Sequence, residues 1–96
     1  MTQYIIDGTK FYSVSGFHEV VREIFDFGQY YGANPDALRD FLSTELERPL
    51  EIVWKYCERS RESLGEREFQ KLVGIFEYFV ENEKDRPKKF FFRMED

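Results

Sequence analysis

Cysteine, long apolar runs and signals for export are scarce or missing in this sequence. The single cysteine, Cys57, excludes an intramolecular disulfide and fits a reducing compartment. It lies in an apolar run, and we interpret it as a small core residue rather than a catalytic thiol. No stretch approaches the roughly 20 consecutive apolar residues that span a membrane. The first residues, MTQYIIDG, lack the basic start and the apolar stretch of a signal peptide. These absences predict a cytoplasmic protein that does not enter a membrane.

Positive charge is also in deficit, since 14 Lys and Arg face 19 Asp and Glu and give a formal net charge of −5. Nucleic-acid backbones are bound mainly by Lys and Arg, so this balance argues against a nucleic-acid partner. It is compatible with a basic protein partner. One histidine and one cysteine, without clustered carboxylates at ligand spacing, predict no metal site and no cofactor.

What the sequence does contain is enough aromatic surface for one compact core. The 96 residues hold no internal repeat, no low-complexity tract and no linker that would divide the chain. Aromatic residues make up 19% of the chain, and eleven of them are Phe. Because each aromatic ring buries a large area, a small domain of this composition can be stable without disulfides. We therefore expect residues 1–96 to form a single domain.

Three segments have the composition of β-strands. Residues 3–7 and 50–56 are rich in β-branched and aromatic side chains, and a proline precedes the second of them. Residues 89–94 form a very apolar run, which predicts a final strand buried on both faces.

Four segments show the apolar period of helices. The first is expected to begin after Ser15 as its N-cap and to end at Gly28. Asn34-Pro35 is a typical start for the second, because Asn caps free N–H groups and Pro has none to lose. The third and fourth are predicted over 56–63 and 66–82. The order β-α-α-β-α-α-β favours an α/β fold, a small three-stranded parallel sheet covered by about four helices.

The second predicted helix carries two carboxylates four residues apart, Asp36 and Asp40, on the face opposite its apolar residues. Like charges at this spacing cost an isolated helix a few tenths of a kcal/mol. The helix dipole favours Asp36 in the first turn, but it favours Asp40 much less because Asp40 lies a full turn further in. Helix stability therefore does not account for Asp40, and the pair is compatible with either a solvated surface or a binding role.

The loop and helix carry a recognisable motif. The stretch YYGANPDALRD resembles the YYGxNxDALxD signature of the barstar family, intracellular inhibitors of barnase-type ribonucleases. The resemblance extends over nearly the whole chain. It includes a first helix with His18, a strand with the pattern Pro-Leu-x-aliphatic-x-Trp ending at Trp54, a Phe-rich last helix and a short final strand. We interpret His18 and Trp54 as structural residues.

The resemblance implies a function and a site. In this family the helix and the loop before it plug the ribonuclease active site, as one inhibitor per enzyme. Asp40 would take the place of a substrate phosphate among the enzyme's cations, with Asp36 in support. The implied partner-binding residues are Tyr30, Tyr31, Gly32, Asn34, Asp36, Arg39, Asp40 and Ser43.

Some alternatives remain open at this stage. One of the two tyrosines, Tyr30 or Tyr31, can instead pin the loop to the core. Arg39 stands where the family archetype has tryptophan, and Tyr78 stands at a position that is acidic there. These departures keep open an interaction or immunity module for a different basic protein or toxin. An enzyme using the two aspartates as acid and base is disfavoured, because nothing nearby would separate their pKa values.

Overall fold

The three strands form one parallel sheet. The structure is a computed structural model that describes all of residues 1–96. They are β1 (Thr2–Asp7), β2 (Leu50–Lys55) and β3 (Phe90–Met94). Their order in the sheet is β1-β2-β3, and both neighbouring pairs are parallel. The central strand β2 therefore has a partner on each side, and the other two strands are edges.

Four helices connect the strands, two between each consecutive pair. They are α1 (Val14–Phe25), α2 (Pro35–Thr44), α3 (Cys57–Leu64) and α4 (Glu66–Asn82). The predicted α/β fold, with a three-stranded parallel sheet and four helices, is confirmed. None of these helices combines the length and the apolar character needed to cross a membrane.

The aromatic core centres on Trp54 of the middle strand, which is fully buried. Its ring stacks on Phe17 of α1 and meets the edge of Phe69 of α4, each with centroids 5.2 Å apart. The indole N–H donates to the Ser60 hydroxyl at 2.9 Å, so the one polar atom of the side chain is paired. Cys57 is buried in the same cluster, as expected. The core thus ties the central strand to helices from both halves of the chain.

Both predicted ends of α1 were wrong by a few residues. Ser13, not Ser15, is the N-cap, because its backbone is extended and its hydroxyl accepts the N–H of Gly16 at 3.1 Å. Ser15 lies inside the first turn. At the other end Asp26 adopts a left-handed conformation with φ of 56°, which ends the helix before Gly28 is reached.

The prediction that β3 is buried on both faces was also wrong. Phe90 is buried, and Phe92 is half-buried against Phe76 of α4. Phe91 and Met94 are more than two-fifths exposed. The reason is position, since β3 is an edge strand and helix α4 covers only the face that carries Phe90 and Phe92.

Candidate partner-binding surface

The junction between the loop and α2 is fixed by Asn34. Its side-chain oxygen accepts the N–H of Ala37 at 2.8 Å, which caps the helix, and its amide nitrogen donates to the carbonyl of Gly32 at 3.2 Å. Pro35 occupies the first turn. A Cβ at Gly32 would lie 3.3 Å from the Asn34 amide nitrogen, so a larger residue would press on the cap. Asn34 and Gly32 therefore shape the loop from within the chain.

Helix α2 directs its carboxylates into solvent because its opposite face is firmly buried. Leu38 and Leu42 are completely inaccessible, and they lock the rotation of the helix against the core. Asp36 and Asp40, two residues before each of them, are exposed. The two acidic side chains thus stand on the exposed side of a helix whose other side is packed into the core.

The two carboxylates differ in their surroundings. Asp36 lies 3.7 Å from the guanidinium of Arg39, although its own side chain remains 95% exposed. No ion pair of the chain involves the Asp40 carboxylate. The backbone carbonyl of Asp40 accepts the Ser43 hydroxyl at 2.8 Å, so Ser43 is satisfied by its own helix. Asp40 is the free anion of the pair.

The two tyrosines of the loop have opposite positions. Tyr30 is 84% exposed, whereas Tyr31 is only 2% exposed. The Tyr31 hydroxyl lies 2.6 Å from Nδ1 of His18, and its ring packs against Phe27 and Phe41. Burial raises the pKa of Tyr31 and lowers the pKa of His18, so both groups are neutral near pH 7. Of the two interpretations of Tyr31, its position supports the one in which it fixes the loop to the core, and the implied packing of its ring on a partner is not supported.

Replacing Tyr31 with phenylalanine should destabilise the fold by roughly 1–3 kcal/mol, the usual cost of leaving a buried polar group unpaired. The other ring nitrogen of His18 has no partner within the chain, so this hydroxyl is the only hydrogen bond of a fully buried imidazole. Urea unfolding measures the change. Tyr30→Phe is the matched control, because that side chain is exposed and should shift stability by less than about 0.5 kcal/mol. Equal stabilities of the two variants would contradict the anchoring role of Tyr31.

Arg39 and Tyr78, the two positions at which the resemblance predicts a departure from the family archetype, contact each other. The Arg39 guanidinium carbon lies 5.9 Å from the centre of the Tyr78 ring, within the range of a cation–π contact. Tyr78 of α4 is half exposed. Glu77 beside it lines a separate surface with Phe92 and Arg93 of β3, so it does not replace an acidic group at position 78. No pattern in the sequence indicated this contact, because it depends on how α2 packs on α4.

One cluster of metal-ligand types occurs away from this surface, formed by Cys57, Glu58 and Asp96. The Cys57 thiol donates to the Asp96 carboxylate at 3.0 Å. Burial and this neighbouring carboxylate raise the pKa of Cys57 to about 11, so the thiol is protonated at neutral pH. Metals bind the thiolate, so a metal at this cluster would have to displace the thiol proton.

Comparison with known proteins agrees with the motif and the fold. The family model described as "Barstar (barnase inhibitor)" matches residues 1–95. A Bacillus subtilis (strain 168) protein described as "Putative ribonuclease inhibitor YrdF" is 40% identical over 65 residues. The aligned region covers 68% of this chain and 71% of that protein. The chain therefore belongs to the barstar family.

Proposed function

We propose that this chain is a stoichiometric protein inhibitor of a small basic ribonuclease, which it blocks with the acidic face of α2 and the loop before it. Family membership and the description of the Bacillus relative support the inhibitor class. The observation that carries the proposed site is Asp40. It is an exposed carboxylate without a cation of its own, held on a helix whose other face is locked into the core.

The proposed contact follows from the chemistry of nuclease active sites. Such a site is a cleft of Lys, Arg and His that holds phosphates, and a carboxylate can replace a phosphate as a charge-assisted hydrogen-bond acceptor. Opposite charges also accelerate the encounter, an effect for which the barnase–barstar pair is a known example. Tyr30 supplies an exposed ring in the loop before α2, and aromatic anchors of this kind often dominate interface energies.

An inhibitor explains this surface better than an enzyme does. Asp36 and Asp40 are both exposed to water on the same helix. General acid–base catalysis by two carboxylates needs different environments that separate their pKa values, usually in a cleft. The surface is therefore better suited to occupy a cleft of another protein.

Titration of the chain into a barnase-type ribonuclease tests the proposal. RNA cleavage should fall linearly with added protein and vanish at about one equivalent, because a tight inhibitor binds mole for mole. An unrelated acidic protein of similar size and net charge serves as the control. Undiminished cleavage in the presence of a folded chain, checked by circular dichroism, would contradict the proposed function.

A second candidate is a barstar-like interaction or immunity module for a different basic protein or toxin. Arg39 favours it, because its guanidinium lies beside Asp36 and partly offsets the negative charge that a basic cleft would attract. In that case the chain would fail to inhibit barnase-type ribonucleases and yet bind another basic protein through the same Asp40 face.

A further inference from the structure

A second surface lies beside the acidic face of α2 and has the opposite charge. It is a groove between the second half of α2 and the C-terminal part of α4. Arg39 and Ser43 line it from α2, and Tyr78, Asn82 and Arg86 line it from α4 and the turn that follows. We call it the arginine groove. Arg39 forms its border with the acidic face.

The charges of the arginine groove do not cancel within the chain. Three arginines and a single glutamate line it, an excess of two positive charges in a protein whose net charge is −5. The glutamate, Glu83, is held by Arg48 in a two-point contact with both distances at 2.9 Å. Arg86 reaches the same carboxylate only at 3.9 Å and stays 65% exposed. One carboxylate is thus shared by two arginines, and Arg86 remains largely uncompensated.

Arg39 is likewise available to an external anion. Its contact with Asp36 is long, at 3.7 Å, and both side chains are at least half exposed. Exposed pairs of this kind contribute about 0–1 kcal/mol, so a partner's carboxylate can replace Asp36 at little cost. The Tyr78 ring beneath the guanidinium limits its freedom and holds it at the groove. Two exposed guanidinium groups therefore flank one concave surface.

We propose that the arginine groove receives an acidic side chain of the partner ribonuclease, so that the natural partner carries a carboxylate on the rim of its basic cleft. This inference rests on the proposed function and specifies the partner. Arg39 and Arg86 then select among ribonucleases, while Asp40 supplies the contact common to all of them. A ribonuclease with a uniformly basic rim would meet Arg39 with repulsion and bind less tightly.

A protein carboxylate fits the groove better than a nucleic-acid phosphate does. Asp36 and Asp40 lie directly beside Arg39 on the same helix. A nucleic-acid strand long enough to fill the groove would run past these carboxylates and be repelled, in addition to the repulsion from the net negative chain. A single acidic side chain on a folded partner can meet the groove while the partner's cations meet Asp40.

Charge-reversal coupling tests the inference. In a barnase-type ribonuclease, each Arg or Lys on the rim of the cleft is replaced in turn by Glu, and the Kd is measured against the wild-type chain and against Arg39→Glu. For each replacement, the Kd is divided by the Kd of the parent enzyme for the same chain. At one rim position, this ratio should be at least about tenfold smaller for the wild-type chain than for Arg39→Glu. Arg86→Glu should couple to the same or the adjacent rim position.

Arg67→Glu is the matched control. Arg67 is exposed at the other end of α4, outside the arginine groove, and its reversal changes the net charge by the same amount. Coupling below about threefold at every rim position, or equal coupling for Arg67→Glu, would overturn the inference while leaving the proposed function intact. Absence of inhibition of the parent enzyme by the wild-type chain would overturn both. Binding of a short oligoribonucleotide to the free chain, lost in Arg39→Glu, would assign the groove to nucleic acid instead.

Discussion

Asp40→Ala should remove most of the inhibition, raising the Kd for a barnase-type ribonuclease by about 30-fold to several thousand-fold. Truncating one partner of a desolvated charge pair costs roughly 2–5 kcal/mol, and the barnase–barstar complex is among the systems from which this range comes. The cost is high because the enzyme's cations would be left facing a methyl group. Inhibition titrations, or association and dissociation rates, measure the change, and most of it should appear in dissociation.

Asp40→Ala should weaken binding but make the fold slightly more stable. Asp40 forms no ion pair, and its like-charged neighbour Asp36 lies one turn away. Alanine removes that repulsion and is the better helix former, so unfolding should become harder by a few tenths of a kcal/mol. Loss of inhibition without loss of stability separates a binding residue from a structural one.

Asp85→Ala is the control for net charge. Asp85 is exposed in the turn after α4, forms no ion pair, and its replacement changes the charge of the chain by the same amount. It should affect only long-range attraction, and therefore the association rate within a few-fold. Equal losses of affinity for Asp40→Ala and Asp85→Ala would contradict the assignment of Asp40 as the central contact.

Glu83→Ala should be the most destabilising of the charge replacements, at about 3–5 kcal/mol, because it leaves an uncompensated buried cation. Arg48 and Glu83 are joined by two hydrogen bonds of 2.9 Å, and their side chains are only 13% and 5% exposed. The remaining guanidinium nitrogen of Arg48 donates to the carbonyl of Leu46 at 2.7 Å, and the Phe90 ring lies 5.1 Å from the guanidinium carbon. The pair joins the end of α4 to the segment that enters the central strand.

Urea unfolding of a mutant cycle measures this contribution. Arg48→Met and Glu83→Leu should each be strongly destabilising alone, whereas the double variant should recover much of the loss, since two apolar groups leave no buried charge. Glu81→Ala is the control, because Glu81 pairs with Lys84 at 2.7 Å in an exposed position where the expected effect is about 0–1 kcal/mol. A Glu83→Ala variant as stable as Glu81→Ala would contradict the structural role of the pair.

Local chemistry in the sequence predicted much of the fold and the general position of the site. The bounds of α4 agree with its apolar period, and the Asn34 cap and the exposure of Asp36 and Asp40 agree with helical geometry. The β3 prediction failed because an apolar run does not reveal whether helices cover one face of a strand or both. The start of α1 was misplaced because Ser13 and Ser15 are equivalent caps by composition.

The features that sequence reasoning missed depend on contacts between distant segments. Tyr30 and Tyr31 are adjacent and identical, and which ring enters the core depends on the path of the folded loop. Arg48 and Glu83 are 35 residues apart, and their pairing requires the packed α4. Arg86 also reaches the arginine groove only because α4 packs beside α2. Neither the groove nor its positive charge can therefore be predicted from the sequence.

The anchoring of the loop has a consequence for the time course of inhibition. With Tyr31 bonded to His18 and Asn34 bonded to both Gly32 and Ala37, the backbone of this segment is ordered before any partner arrives. Binding then involves no folding step in the inhibitor, and little conformational entropy is lost at the encounter. Under the proposed function, the rate at which a ribonuclease is captured would then depend on diffusion and charge attraction rather than on a folding step.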